Sequence, residues 1–272
     1  MRTIVVGVDR SFAARVVAGW TAALAAAVGA EVVEAHAFRT PIDVGPDEAA
    51  RLLAMREADL TERFVEDASR RGVEARLVVR PGDPRQIIGR IATELGADLV
   101  ALGRSGEGAD AEESRIGTVV EHAAHHWSGS LAVVPARRTG PITRIIVGID
   151  GSASSLAALR WAASVAPGLD ASVVVVNAPE STGISAASRA AGDLREWSRP
   201  VTDSGVEVEY VVSQDLRPFD ALTVAIAANG GDLLVLGRRG TGGFPGLASG
   251  SVALTALQRS PIPVVLIGGQ FP

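Results

Sequence analysis

A chain of 272 residues that is 47% hydrophobic and 21% charged is too apolar for disorder and long enough for two domains, each with its own core. The absence of cysteine excludes disulfides, thiolate metal sites and thiol catalysis, and a formal net charge of −5 argues against a nucleic-acid partner held through its phosphates. Aromatic residues make up only 4%, so the cores must be built from Val, Leu, Ile and Ala, the composition of parallel sheets covered by alanine-rich helices.

In chain order, short β-branched runs alternate with helical patterns, the sign of βαβ units on a parallel sheet. The first half predicts strands at Thr3–Val8, Glu31–Phe38, Glu74–Arg80, Leu99–Leu102 and Leu131–Val134. Ser11 is placed to cap a helix through Ala13–Val28 that stops at Gly29. Asp47 is placed to cap a long charged helix ending at Arg70–Arg71–Gly72, and a third helix opens on Pro84, where the missing N–H costs nothing, and ends near Gly96. The second half predicts strands at Arg144–Ile149, Ser172–Ala178, Glu207–Val212, Leu233–Leu236 and Val264–Ile267, with helices starting near Ser154, Arg217 and Gly250. Its middle segment, Pro179–Ser204, is shorter and richer in Ser, Ala and Gly than its counterpart, which predicts a trimmed helix.

The chain thus says the same thing twice. Thr3–Asp9 reappears as Arg144–Asp150, and Asp98–Arg104 reappears as Asp232–Arg238. The polar stretch Arg137–Pro141 separates the copies, giving domains at 1–138 and 142–272. The opening residues already read as a strand, with no room for a charged leader and a long apolar signal region, and the apolar runs are broken well short of a membrane span. The expectation is a cytoplasmic protein.

Three motifs carry a resemblance. The opening strand of the second half ends in Asp150–Gly151–Ser152; Gly237, Gly240, Gly250 and Ser251 follow a Gly-x2-Gly-x9-Gly-Ser spacing; and Pro261–Ile262–Pro263–Val264 introduces the closing strand. Taken in order, and echoed in the first half, they resemble the universal stress protein family, over nearly the whole chain, as two tandem domains. The resemblance implies α/β doubly wound domains, each a five-stranded parallel sheet of order 3-2-1-4-5 with helices on both faces. It also implies association through the last strand and, in many members, ATP bound without rapid turnover.

Elementary chemistry points to the same place. In such a sheet the chain direction reverses between strands 1 and 4, which leaves a crevice beyond their carboxyl ends, where Asp150 and Gly237 stand. Glycines at 237, 240, 242 and 243 let several backbone N–H groups turn towards one anion, and Gly250–Ser251 opens a helix whose N-terminus favours negative charge. The Ser251 hydroxyl can donate to a phosphate, Arg238 and Arg239 can add cationic contacts, and Asp150 suits a ribose hydroxyl or the water shell of magnesium. The plainer reading gives each residue a structural role: a tight turn for the glycines, a helix cap for Asp150 or Ser251. The combination favours ATP, with or without Mg, in the second half.

The first half keeps Asp9, Gly103, Gly106, Gly117 and Thr118 but departs from the pattern. Ten residues rather than nine separate Gly106 from Gly117, Arg10 follows Asp9 in place of glycine, and four carboxylates crowd the loop from Glu107 to Glu113. Like charges a few ångströms apart cost on the order of several kcal/mol at a partly buried site, so this half should bind ATP more weakly or not at all. In the second half Gln214–Asp215–Leu216 stands where the first has Gly82–Asp83–Pro84, which leaves its base preference open.

Other candidates lose ground. His122 and His126 stand at i and i+4, but no carboxylate spacing joins them and His125, which favours three partly exposed helical histidines over a metal site. Neither glycine loop has the Lys of a P-loop. Trp20 and Trp161, at matching places in the first helix of each half, read as core fillers, and the charged run from Glu57 to Asp67 reads as a solvated helix face. No nucleophile with an adjacent base is visible, and no catalytic residue is assigned. Three functions remain: an ATP-binding stress-response regulator, a slow nucleotide hydrolase or ATP pyrophosphatase-like enzyme, and an interaction scaffold with vestigial sites. The pyrophosphatase likeness is faint, because the glycines and the Asp-Ser pair of that loop are missing. The apolar closing strands at the sheet edges suggest an intrachain pseudo-dimer of the two halves and leave room for a homodimer or a regulatory protein partner.

Overall fold

Valine-rich and isoleucine-rich runs become strands and alanine-rich stretches become helices in both halves of the computed structural model, which describes residues 1–38, 45–106, 116–137, 139–179, 184–240 and 249–268. The chain divides into two compact units, Met1–Ala123 with Ala132–Arg138, and Ala124–Leu131 with Thr139–Pro272.

The first unit begins with β1 (Thr3–Gly7), α1 (Phe12–Val28) and β2 (Glu31–Phe38). Next comes α2 (Pro46–Leu60), which runs through a π-helical turn at Thr61–Val65 into α3 (Glu66–Arg70). Then follow β3 (Ala75–Pro81), α4 (Pro84–Glu94), β4 (Leu99–Gly103), α5 (Thr118–His126) and β5 (Ser130–Val134), with Ala124–Leu131, from the end of α5 to the start of β5, counting with the second unit. The strand order is β3-β2-β1-β4-β5, and the β1–β2, β1–β4 and β2–β3 pairs are parallel. The second unit repeats the plan with β6 (Arg144–Gly148), α6 (Ala153–Leu169), β7 (Ser172–Asn177), α7 (Ile184–Trp197) and α8 (Arg199–Thr202). It closes with β8 (Val208–Val212), α9 (Pro218–Asn229), β9 (Leu233–Gly237), α10 (Ser251–Arg259) and β10 (Val264–Ile267), and its sheet order is β8-β7-β6-β9-β10, again parallel at each pair.

The central strands are buried on both faces, as their unbroken apolar runs require. Ile4, Val5 and Val6 of β1 and Ile145, Ile146 and Val147 of β6 are fully buried. Removing a side chain of that size from water contributes roughly 1.5–3 kcal/mol. Trp20 on α1 and Trp161 on α6 are buried in their units' cores, as the sequence predicts.

Local chemistry sets the helix ends. The Ser11 hydroxyl accepts from the Ala14 N–H at 3.0 Å, and α1 stops at Gly29, which takes the left-handed conformation. The expectation for the next helix is corrected: it opens on Pro46 with Gly45 as the cap, and Asp47 lies in the first turn, where its charge favours the helix N-terminus. The charged face of α2 and α3 is solvated and laced with pairs such as Arg63–Asp59 and Arg71–Asp67 at i,i+4 spacing. The trimmed helix is also as expected: α7 and the single turn α8 stand where the first unit has the longer run from Pro46 to Arg70. No helix among the described residues is long and apolar enough to cross a membrane.

Candidate functional site

Each unit has a crevice beyond the carboxyl ends of its central strands, where the strand order reverses. The first encloses about 1090 Å³ and is lined in part by Asp9, Gly103, Gly106, Gly117 and Thr118, all five first-half residues expected from the sequence. The second encloses about 540 Å³ and is lined in part by Asp150, Gly237, Arg238, Gly240, Gly250 and Ser251. Gly151 and Ser152 do not line it. Their work is structural: Gly151 turns the chain at φ 80°, and the Ser152 hydroxyl caps α6 by accepting from the Ser155 N–H at 3.2 Å and donates to the Arg239 carbonyl at 3.3 Å.

The carboxylate after strand 1 is held alike in both units. Asp150 Oδ1 accepts from the Ser152 N–H at 3.0 Å, and Asp9 Oδ1 accepts from the Ser11 N–H at 2.8 Å. The other oxygen turns towards the glycine loop: a Cβ placed on Gly240 would lie 2.5 Å from Asp150 Oδ2, and one on Gly106 would lie 3.2 Å from Asp9 Oδ2. Gly237 has no room either, because a Cβ there would stand 2.5 Å from the Ser154 backbone. These glycines are set by close approach, which is what lets the loop crowd the strand ends.

The far ends of the two glycine loops also match. The Gly250 N–H donates to the Arg238 carbonyl at 2.7 Å and the Gly117 N–H to the Arg104 carbonyl at 2.8 Å. The extra residue of the first loop, and its four carboxylates, fall within 107–115, outside the described residues, as do Gly242 and Gly243 of the second.

The helix after the loop is the chemically distinctive part. Gly250 is the N-cap of α10 and brings no side chain, so among the described residues no side-chain cap meets the N–H groups of its first turn. Ser251 is therefore the first helical residue and not the cap. Gly250, Ser251, Val252 and Ala253 all line the crevice, which puts those donors and the positive end of the helix dipole at its wall. By contrast, α6, which also starts near the crevice, has its cap filled by Ser152.

The two arginines part company. Arg238 is 4% exposed, and its Nη1 donates to the Trp127 carbonyl of the same unit; burial, with the neighbouring Arg239 charge, pulls its pKa down to about 10. Arg239 is exposed. In the first unit Arg10 pairs with Asp59 on α2 at 3.6 Å, whereas at the corresponding Gly151 the ring of Trp197 on α7 closes in, 2.7 Å from where a Cβ would be. Trp197, an element of the wall that sequence reading missed, lines the second crevice.

The strand-2 end was also missed. Asn177 closes a run of four valines, 7% exposed, and its Nδ2 donates to the Ile149 carbonyl at 2.7 Å. At the same place in the first unit, buried His36 has Nδ1 2.7 Å from the Val8 carbonyl. A polar residue ending an otherwise apolar strand was the available signal. The edge next to it needs a correction. The proline that lines the crevice is Pro84 in the first unit and Pro218 in the second, each at the start of its helix. The counterpart of Gly82–Asp83–Pro84 is thus Leu216–Arg217–Pro218 and not Gln214–Asp215–Leu216. The Asp83 cap, which accepts from the Arg85 N–H at 3.0 Å, has no equivalent in Arg217.

His122 is partly exposed and His125 and His126 are exposed on α5, and no group of three His, Asp or Glu able to hold a metal occurs among the described residues.

The comparisons with known proteins agree with this arrangement. The family model described as the universal stress protein family matches residues 1–135 and again 141–268. A universal stress protein of Mycobacterium tuberculosis is 27% identical, covering 97% of this chain and 96% of the relative. The crystal structure of a universal stress protein from Archaeoglobus fulgidus covers 98% of each chain with a TM-score of 0.78 at 17% identity, a likeness of fold. With the family's domain matched twice along it and the paired crevices in place, the chain belongs to the universal stress protein family.

Proposed function

We propose that the second unit binds ATP, with or without magnesium, and that this protein acts as a nucleotide-dependent stress-response regulator rather than a fast enzyme. The observation that carries the reading is α10, which opens on Gly250 without a side-chain cap and lines the crevice with its first turn. Unmet N–H donors at the positive end of a helix suit phosphate. Ser251 would add a hydroxyl to that contact. Asp150, just after the neighbouring strand β6, would take the ribose hydroxyls or the water shell of a magnesium ion arriving with the nucleotide. Arg239, exposed beside the loop, is the better placed of the two arginines to reach a phosphate, since Arg238 is committed to Trp127.

The first crevice is the weaker candidate for ATP. It is larger, its lining carries the Arg10–Asp59 pair, and the sequence of its glycine loop holds four carboxylates, a charge pattern unfavourable to a triphosphate. A site of about 540 Å³ is within the ordinary range for a small-molecule pocket, and about 1090 Å³ is at its upper edge.

The test is to denature the purified protein without added nucleotide and identify any released small molecule by mass spectrometry, counted per chain. About one ATP per chain is the expected result. No nucleotide, followed by no heat on titration with Mg-ATP, would overturn the reading and leave an interaction scaffold. Sustained release of phosphate from ATP would favour the hydrolase instead.

A further inference from the structure

The second crevice has polar features in line across three adjacent strands: the α10 N-terminus after β9, Asp150 after β6, and Asn177 at the end of β7. Adjacent strands lie roughly 4.8 Å apart, so Asn177 is about 10 Å from the start of the phosphate loop. A nucleotide with phosphates at α10 and ribose at Asp150 extends its base to Asn177.

The orientation of the Asn177 amide follows from its partner. A backbone carbonyl can only accept, so the group 2.7 Å from the Ile149 oxygen is the Nδ2 amine, and Oδ1 is on the opposite side. Oδ1 is not among the buried polar atoms left without a partner, although the residue is only 7% exposed, and Asn177 lines the crevice. The open part of this side chain is therefore a hydrogen-bond acceptor, held by a bond at its other end. His36 makes the same attachment in the first unit but presents a different edge. With Nδ1 donating to Val8, its Nε2 is the acceptor and has the Arg56 guanidinium 3.5 Å away.

We propose that Asn177 is the base-specificity residue of the second crevice, its fixed Oδ1 selecting 6-aminopurine nucleotides over 6-oxopurine nucleotides. The exocyclic amine of a 6-aminopurine donates to Oδ1; a 6-oxopurine brings an oxygen to face an oxygen. This inference rests on the nucleotide reading above. A site that hydrogen-bonds one group rejects an analogue lacking it, because its own polar atom is then left unpaired.

The test uses the full chain and calorimetric titration with Mg-ATP and Mg-ITP, which differ at position 6 of the purine. Wild type should prefer ATP by about tenfold or more, one hydrogen bond's worth. Asn177→Ala should bring the ratio close to one. Asn177→His retains a ring N–H to hold the Ile149 carbonyl and, like His36, leaves Nε2 as an acceptor, so it separates a lost base contact from a damaged strand end; it should melt near wild type and keep a preference for ATP. Binding of neither nucleotide by wild type would remove the nucleotide reading, and this inference with it. Equal affinity for both would overturn the inference and leave nucleotide binding standing. A preference that survives in Asn177→Ala, or that a well-folded Asn177→His fails to show, would overturn the inference and mean that another group reads the base.

Discussion

Glu34 shows how one residue can oppose the fold that holds it. It sits on β2 at 1% exposure with no partner for Oε2 among the described residues, and burial, with the Asp67 carboxylate nearby, pushes its pKa up to about 8. Its ordinary value is 4.5, so below that pH both folded and unfolded states hold the proton and Glu34 costs little. Between 4.5 and about 8 only the folded state keeps it, and stability falls as pH rises, levelling off above. The loss is on the order of a few kcal/mol. We expect Glu34→Gln to be more stable than wild type at pH 9 and to lose that advantage by pH 5. Denaturant midpoints at the two pH values check this, and equal differences at both would refute it. Gly237 makes the opposite case, a residue whose absence of side chain is required. With Ser154 backbone 2.5 Å from a Cβ position, Gly237→Val should destabilise by about 2 kcal/mol or more and abolish nucleotide binding, read by thermal melting and titration.

Among the elements, α10 trades stability for an open N-terminus. Gly250 has φ −77° and ψ 166°, ordinary extended backbone, and the nearest atom of the described residues to a Cβ there would be the Arg238 carbonyl oxygen at 3.6 Å. Gly250→Asp is thus sterically permitted and would supply the cap that α10 lacks. We expect it to raise the melting temperature, by the equivalent of about 1 kcal/mol, and to weaken ATP binding at least tenfold, because a carboxylate then occupies the donors and repels phosphate. A variant that is more stable and binds ATP unchanged would place the phosphates elsewhere. Caps that are already filled predict the reverse: Ser152→Ala should cost about 1 kcal/mol through loss of its bond to Ser155.

At the scale of the whole molecule, two units with separate cores should respond to ligand separately. A nucleotide at one hundred times its Kd stabilises the unit that binds it by about 2.7 kcal/mol. Hydrogen exchange in saturating Mg-ATP should therefore slow in β6, β7 and β9 and hardly change in β1, β2 and β4. Equal protection in both units would mean that the first crevice binds as well, despite its acidic loop.

Much of this was legible in the residues. The strands fell within a residue or so of their expected places, because each is a short run of apolar β-branched residues between glycines and polar turns, and the repeat shows each one twice. The caps were less legible. Asp47 and Ser251 looked like caps from composition, but Gly45 and Gly250 hold those positions, since cap identity depends on backbone angles that residue type only biases. The match of Pro84 with Pro218 was hidden because loop length between strand and helix differs in the two copies. By itself, then, the sequence determined the duplication, the α/β class and the strand order through its family resemblance, and it named strand-end and glycine-loop residues that line each crevice, although Gly151 and Ser152 do not. Only the tertiary structure decided that Arg238 is spent on a carbonyl, that Trp197 walls the second crevice, and that Asn177, bonded to the Ile149 carbonyl, lines it too. Those outcomes depend on contacts between residues distant in the chain, and no local pattern of residue types encodes which way a side chain faces once the strands have come together.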